Sequence, residues 1–157
     1  MITYSLLTLW VLFLIAICVI VLGYERVSYA FQGFDEAEIP YITMDIQGNQ
    51  LNMIVDSACA VSMLNPNALT DCELLYKPTD KNVSLSAMTS DSIKARAITV
   101  EFNIGKKEVS EDFYLHATDD FANFGSWHNV VIHGLLGSSF FDKNKCSIDY
   151  ESHSLIV

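Results

Sequence analysis

Asp56 is the residue of this 157-residue chain whose setting most invites chemistry. It follows the apolar run Leu51–Val55 and precedes four small residues, Ser57-Ala58-Cys59-Ala60. A carboxylate at the end of a buried strand costs free energy unless something uses or neutralises it. Small neighbours let a second backbone come close. Such a group is a candidate general base, since perturbed carboxylates cluster at functional sites; an Asp that only starts or caps a turn has the same local pattern. Asp149, in Ile148-Asp149-Tyr150, could pass for a second catalytic carboxylate.

The other reactive residue types form no constellation. Cys18 lies inside an apolar run, and Cys59, Cys72 and Cys146 match no CxxC pair, so they read as small hydrophobes. Taken with His128 and His133 they lack the short fixed spacing of zinc ligands, and His116 and His153 add no spacing of their own. No metal and no cofactor is expected. Asp119-Asp120 reads as a solvated loop. Asn82-Val83-Ser84 fits an N-glycosylation acceptor, a short pattern that requires a secretory context.

The elements that must position Asp56 are strands. Ile42, Met44 and Ile46 alternate with Tyr41, Thr43 and Asp45, Gly48-Asn49 marks a turn, and Leu51, Met53 and Val55 continue on the far side as the second arm of a hairpin. Val83–Ser86 and Ile93–Ala97 read as a second hairpin with Thr89-Ser90-Asp91 at its tip. Ile98, Val100, Phe102 and Ile104 alternate up to Gly105-Lys106, and Val109, Phe113 and Leu115 return. Val130-Val131-Ile132 reads as a buried strand, Phe140–Lys145 as a short helix, and Ser147–Val157 as a last hairpin around Glu151-Ser152. Many short strands at regular spacing predict an all-β sandwich or barrel.

The N-terminal end is of another kind. Met1–Tyr24 contains no charged side chain, so all 9 basic and 19 acidic residues, and the net charge of −10, belong to residues 25–157. A surface this acidic is a poor partner for nucleic acid, whose phosphates need Lys and Arg. Leu6–Leu22 (LLTLWVLFLIAICVIVL) is interrupted only by Thr8, and Leu6 to Tyr24 as a helix rises roughly 28 Å, close to the hydrocarbon thickness of a bilayer. A cleaved signal peptide would have a basic start, a shorter apolar run and a small-residue cleavage site; no Lys or Arg precedes Leu6. The reading is a transmembrane anchor over residues 1–24 with its membrane contact at 6–22, a linker over 25–38 and one β domain over 39–157. Arg26 and Glu25 sit side by side and assign no side of the membrane.

Three motifs taken in order resemble one family. Ile54-Val55-Asp56-Ser57-Ala58 resembles the hydrophobic-hydrophobic-Asp-Thr/Ser-Gly element of retropepsin-like aspartic proteases. About 80 residues on, Gly134-Leu135-Leu136-Gly137-Ser138-Ser139-Phe140-Phe141 is similar to their hydrophobic-hydrophobic-Gly element and the short helix after it, and Cys146-Ser147-Ile148-Asp149-Tyr150 resembles their terminal strand. The resemblance implies a single-lobe, closed β-barrel of the acid-protease fold with one short C-terminal helix. It implies an aspartic endopeptidase that is active as a homodimer on peptide or protein substrates, with Asp56 as the one catalytic residue each subunit supplies. Ser57 and Ala58 would complete the active-site loop, with the Ser57 hydroxyl tying the two loops together. Leu135, Leu136 and Gly137 would support that loop. Met88, Thr89, Ser90 and Asp91 would form the tip of a substrate-covering flap, and Asp149 would be structural.

Two departures stand beside the resemblance. Ala58 occupies the position of the family's loop glycine, and no glycine occurs between Gly48 and Gly105, so the flap has no glycine at its tip. A methyl at position 58 would crowd a neighbouring loop, or disfavour a positive φ if the loop needed one. The alternative reading, from a different functional class, is a dimeric binding or sensing module that keeps the fold without turnover.

Overall fold

The computed structural model describes residues 8–14, 26–33, 40–86, 92–117, 121 and 129–157. The strands are β1 (Ser28–Ala30), β2 (Tyr41–Ile46), β3 (Asn49–Val55), β4 (Ser62–Leu64), β5 (Tyr76–Ser86), β6 (Ser92–Ile104), β7 (Lys107–Leu115), β8 (Gly134–Leu136), β9 (Ser147–Asp149) and β10 (Ser154–Ile156). The helices among them are α1 (Pro66–Asp71) and α2 (Ser138–Asn144).

Period-two alternation places the core. Ile42, Met44 and Ile46 of β2 are buried on the same side as Leu51, Met53 and Val55 of β3. From β6 and β7 come Ile98, Val100, Phe102, Ile104, Val109 and Phe113, and Leu136, Phe140 and Leu155 close the cluster. Burying such side chains is the main favourable term in folding. A second cluster, Tyr41, Ile54, Phe121, Ile132 and Leu135, packs on the opposite face of β2, β3 and β8.

Seven strands form one sheet in the order β2-β3-β8-β4-β7-β6-β5, and β1-β10-β9 form a second. β2 and β5 are the ends of the large sheet, and no pairing joins them among the described residues. The expected closed barrel is thus not found among the described residues. Closing a barrel needs its first and last strands to pair, and here β5 ends the sheet as an edge that carries Pro78 and an irregularity between Pro78 and Asn82. Proline lacks a ladder donor and suits such an edge.

Several expected elements move. The first turn falls on Gln47-Gly48, one residue earlier than the sequence pattern suggests; both have positive φ, as a two-residue hairpin of type I′ needs. The second hairpin is longer than its predicted arms, although Val83 does face Ala95. Val130–Ile132 is not a strand: Ile132 is buried but Val131 is 70% exposed, and the strand is the next triplet, Gly134–Leu136. Within the stretch expected to be a linker, Ser28–Ala30 pairs with Ser154–Ile156. One helix was expected in the β domain, and the described residues include α1 as well as α2. The extra one, α1, has Asn65 as N-cap, accepting the Asn67 N–H, and Pro66 as first residue, which is a legible start signal.

Of the apolar N-terminal run, residues 8–14 are described and helical, with Leu9, Trp10 and Leu12 exposed. No helix among the described residues is long and apolar enough to cross a membrane; the rest of Leu6–Leu22 lies outside the described residues.

Candidate functional site

The site is built where β8 lies between two strands that are neighbours in sequence. β3 runs parallel to β8 with Val55 opposite Leu136, and β4 runs antiparallel on its other side with Met63 opposite Leu135. The chain must therefore leave β3, pass over the end of β8 and return as β4, and residues 56–61 make that crossing. Asp56 is its first residue. Its backbone N–H donates to the Leu136 carbonyl at 3.1 Å, and its side-chain Oδ1 accepts the Ala58 N–H at 2.9 Å. The carboxylate is half-buried, while Ser57 and Ala58 stand exposed at the tip.

The first turn of α2 grips this loop. Ser138 N–H donates to the Cys59 carbonyl at 2.8 Å, Ser139 N–H to the Ala60 carbonyl at 3.3 Å, and Gly137 N–H to Ser62 Oγ at 3.3 Å. A helix N-terminus has unpaired N–H groups to offer, and the loop carbonyls use them. The approach is close enough to require glycine: a Cβ on Gly137 would lie 2.3 Å from the Val61 carbonyl oxygen and 2.8 Å from that of Cys59. Leu136 is fully buried in the main core, and Leu135 points into the second cluster. The Leu-Leu-Gly element thus anchors the loop from both faces of the sheet.

Asp56, Ser57, Ala58, Leu135, Leu136 and Gly137 are brought together. Ala58 has no positive φ, so its methyl meets no backbone penalty at this position. The flap tip residues Met88, Thr89, Ser90 and Asp91 lie outside the described residues. Asp149 is a turn residue: its carboxylate accepts the Glu151 and Ser152 N–H groups and the Ser152 hydroxyl, and these bonds hold it below the usual carboxylate pKa. Cys59, Cys72 and Cys146 are free thiols. The Cys59 thiol donates to the Val61 carbonyl, and burial pushes its pKa up; burial pushes Cys146 to about 11. Neither is a ready thiolate.

Three residues of this region escape sequence reasoning. Ser62, fully buried at the start of β4, donates to Glu111 Oε1 at 2.9 Å, and Glu111 on β7 is itself 2% exposed. The signal was present: Val109, Glu111 and Phe113 share one face of an alternating strand, and a carboxylate in that phase is out of place unless partnered. His133 is the third. Its Nδ1 accepts the Asn52 backbone N–H at 3.0 Å, while its own backbone N–H donates to the Asn52 carbonyl, locking β3 to the residue before β8.

His133 yields a prediction. Accepting an N–H requires an unprotonated Nδ1, and burial lowers the His133 pKa although the Asn52 backbone and Asp71 pull the other way. The unfolded chain takes up this proton near pH 6.5, the folded chain only at lower pH. The stabilisation is therefore complete above the unfolded value and is lost as pH falls through the depressed folded one. Thermal unfolding of the full chain should show Tm falling below about pH 6.5, and His133→Gln should flatten that slope. A slope that His133→Gln leaves unchanged would assign the acid sensitivity elsewhere.

A retropepsin-like aspartic protease from Rickettsia conorii superposes with a TM-score of 0.50 at 17% identity, over 85% of this chain and 90% of that one. The retroviral protease-like domain of Ddi1 from Leishmania major gives a TM-score of 0.46 at 13% identity, over 76% and 86%. No family model matches the sequence, and no curated protein does. The chain has a mostly-β, retropepsin-like fold.

Proposed function

We propose that this chain is a membrane-anchored aspartic endopeptidase that works as a homodimer, each subunit contributing Asp56. The observation that carries the reading is the position of Asp56: half-buried, first in a loop held by β8 and α2, and beside an exposed Ser57-Ala58 tip where a second copy can approach. Among the described residues the chain offers one such loop, and its fold is similar to that of a retropepsin-like aspartic protease over 90% of that protein's chain. Two copies meeting across a two-fold axis would bring two Asp56 carboxylates side by side. Carboxylates about 3 Å apart cannot both ionise and share one proton. The ionised one takes a proton from water while the protonated one polarises the scissile carbonyl, and water adds to give a tetrahedral diol without a covalent intermediate.

The hairpin of β5 and β6 would cover the substrate and exclude water. The apolar run at 6–22 would place the enzyme at a membrane as a single-pass protein, and tethering two copies in one bilayer would raise their effective concentration for pairing.

Screening the full chain against a peptide library at mildly acidic pH tests the activity, and analytical ultracentrifugation over a concentration series tests the pairing. Cleavage by a strictly monomeric species would overturn the shared-site mechanism. Binding of peptides with no turnover would favour the module reading. The anchor has its own expected result: the full chain fractionates with membranes and resists carbonate extraction, whereas a chain lacking residues 1–24 is released as a folded β domain. Recovery of the full chain in the carbonate supernatant would remove the anchor.

A further inference from the structure

We infer that Glu111, which touches no substrate, is a positioning residue that sets the Asp56 loop through Ser62 and Gly137 according to whether it is ionised. The inference rests on the reading of Asp56 as the catalytic group and adds to it a second ionisation that governs the rate.

Two hydrogen bonds in series join Gly137, Ser62 and Glu111. Gly137 N–H donates to Ser62 Oγ at 3.3 Å, and the Ser62 hydroxyl donates to Glu111 Oε1 at 2.9 Å. Ser62 closes the loop that Asp56 opens, and Gly137 is where β8 hands over to α2. One serine oxygen therefore joins both sides of the clamp, and its direction is set by Glu111. An ionised carboxylate only accepts, so it fixes the Ser62 hydroxyl as donor and leaves a lone pair for Gly137. A protonated Glu111 has a hydroxyl of its own to donate. Ser62 then loses its obligatory acceptor, and the bond to Gly137 is no longer enforced.

The surroundings make this a switchable group. Glu111 is 2% exposed on the core face of β7. From α2, Lys143 Nζ lies 3.8 Å from Oε2, Lys143 also donates to the Ser110 carbonyl, and Ser139 bonds to the carboxyl. Beyond α2 stands the Cys146 thiol, neutral because burial raises its pKa. Asp112, next on β7, raises the Glu111 pKa, but it is engaged by Lys81 of β5 and by Thr99 of β6 at 2.6 Å. Burial is the largest influence and raises the Glu111 pKa, against the lowering by Ser62 and Lys143. Its ionisation thus moves upward from the ordinary glutamate range, toward the mildly acidic range where a proton-sharing aspartate pair works.

The test uses the full chain and separates this inference from the enzyme reading. Glu111→Ala should lower kcat about tenfold with KM little changed, since a loop-positioning hydrogen bond is lost while substrate contacts remain. Glu111→Gln keeps an acceptor for Ser62 that cannot titrate; it should recover most of the lost kcat and remove one acid-side ionisation from the pH–rate profile. Independently of activity, the Gly137 amide shift in NMR should titrate with pH in the wild type and in Asp56→Asn, and be flat in Glu111→Gln. A Gly137 titration that persists in Glu111→Gln overturns the inference, as does an acid limb of the rate profile identical in wild type and Glu111→Gln. If the wild type cleaves nothing but the Gly137 titration follows Glu111, the coupling stands and the catalytic reading alone falls.

Discussion

Replacing Asp56 by asparagine is expected to abolish peptide cleavage while leaving the fold intact. Asn keeps an Oδ1 that can accept the Ala58 N–H now bonded at 2.9 Å, so the turn that opens the loop persists. The Asp56 N–H bond to Leu136 and the α2 bonds to Cys59 and Ala60 do not involve the side chain at all. What is lost is a group that can take and return a proton, and in a homodimer it is lost from both subunits. General acid–base catalysis is worth about 10²–10⁴-fold in rate, so kcat/KM should fall at least into that range with an unchanged Tm. Ala58→Gly, by contrast, should preserve or raise turnover. Ala58 is exposed and has no positive φ, so its methyl can interfere only with what approaches the tip. Equal cleavage by wild type and Asp56→Asn would remove Asp56 from the mechanism and leave the binding-module reading as the better account.

How much of this was legible in the sequence depended on the range of the signal. Alternation is local, and it placed the buried faces of β2, β3 and β6 residue by residue, Ile42 through Ile46, Leu51 through Val55 and Ile98 through Ile104. The loop around Asp56 was legible because a carboxylate closes the apolar run Leu51–Val55 and four small residues follow it. The short strands β4 and β8 were not, whereas β9 and β10, equally short, fall in the expected last hairpin because they are neighbours in sequence; β4 and β8 exist because long-range pairing holds them, Leu64 against Gly134 and Met53 against Gly134. β1 was hidden for the same reason, its partner β10 lying at the other end of the chain. The order β2-β3-β8-β4-β7-β6-β5 was also beyond local pattern, since which strands meet is a property of the whole topology. Glu111 and Ser62 are 49 residues apart. The misplaced acid was visible on its strand, but its serine partner was not.

Gly137→Ala should be the most damaging single methyl that can be added near the site. Gly137 has φ −97° and ψ −179°, which any residue adopts, so the cost is steric and not conformational. The new Cβ would stand 2.3 Å from the Val61 oxygen, 2.5 Å from the Val61 carbonyl carbon and 2.8 Å from the Cys59 oxygen. All three are backbone atoms, so no side chain can swing aside, and α2 must separate from residues 59–61. That movement strains the bonds from Ser138 to Cys59 and from Gly137 to Ser62. Overpacking of this kind costs about 3 kcal/mol, and a Tm lower by roughly 10 °C is the expected readout. Activity should fall further than the loss of folded protein explains, because the loop that moves is the one that opens with Asp56. Gly48→Ala is the matching control: φ is +82° and nothing lies within 4 Å, so only backbone strain of about 1 kcal/mol is added, far from the loop. Should the two variants lose equal stability and equal activity, the close packing of α2 on the loop is not what holds Asp56 in place.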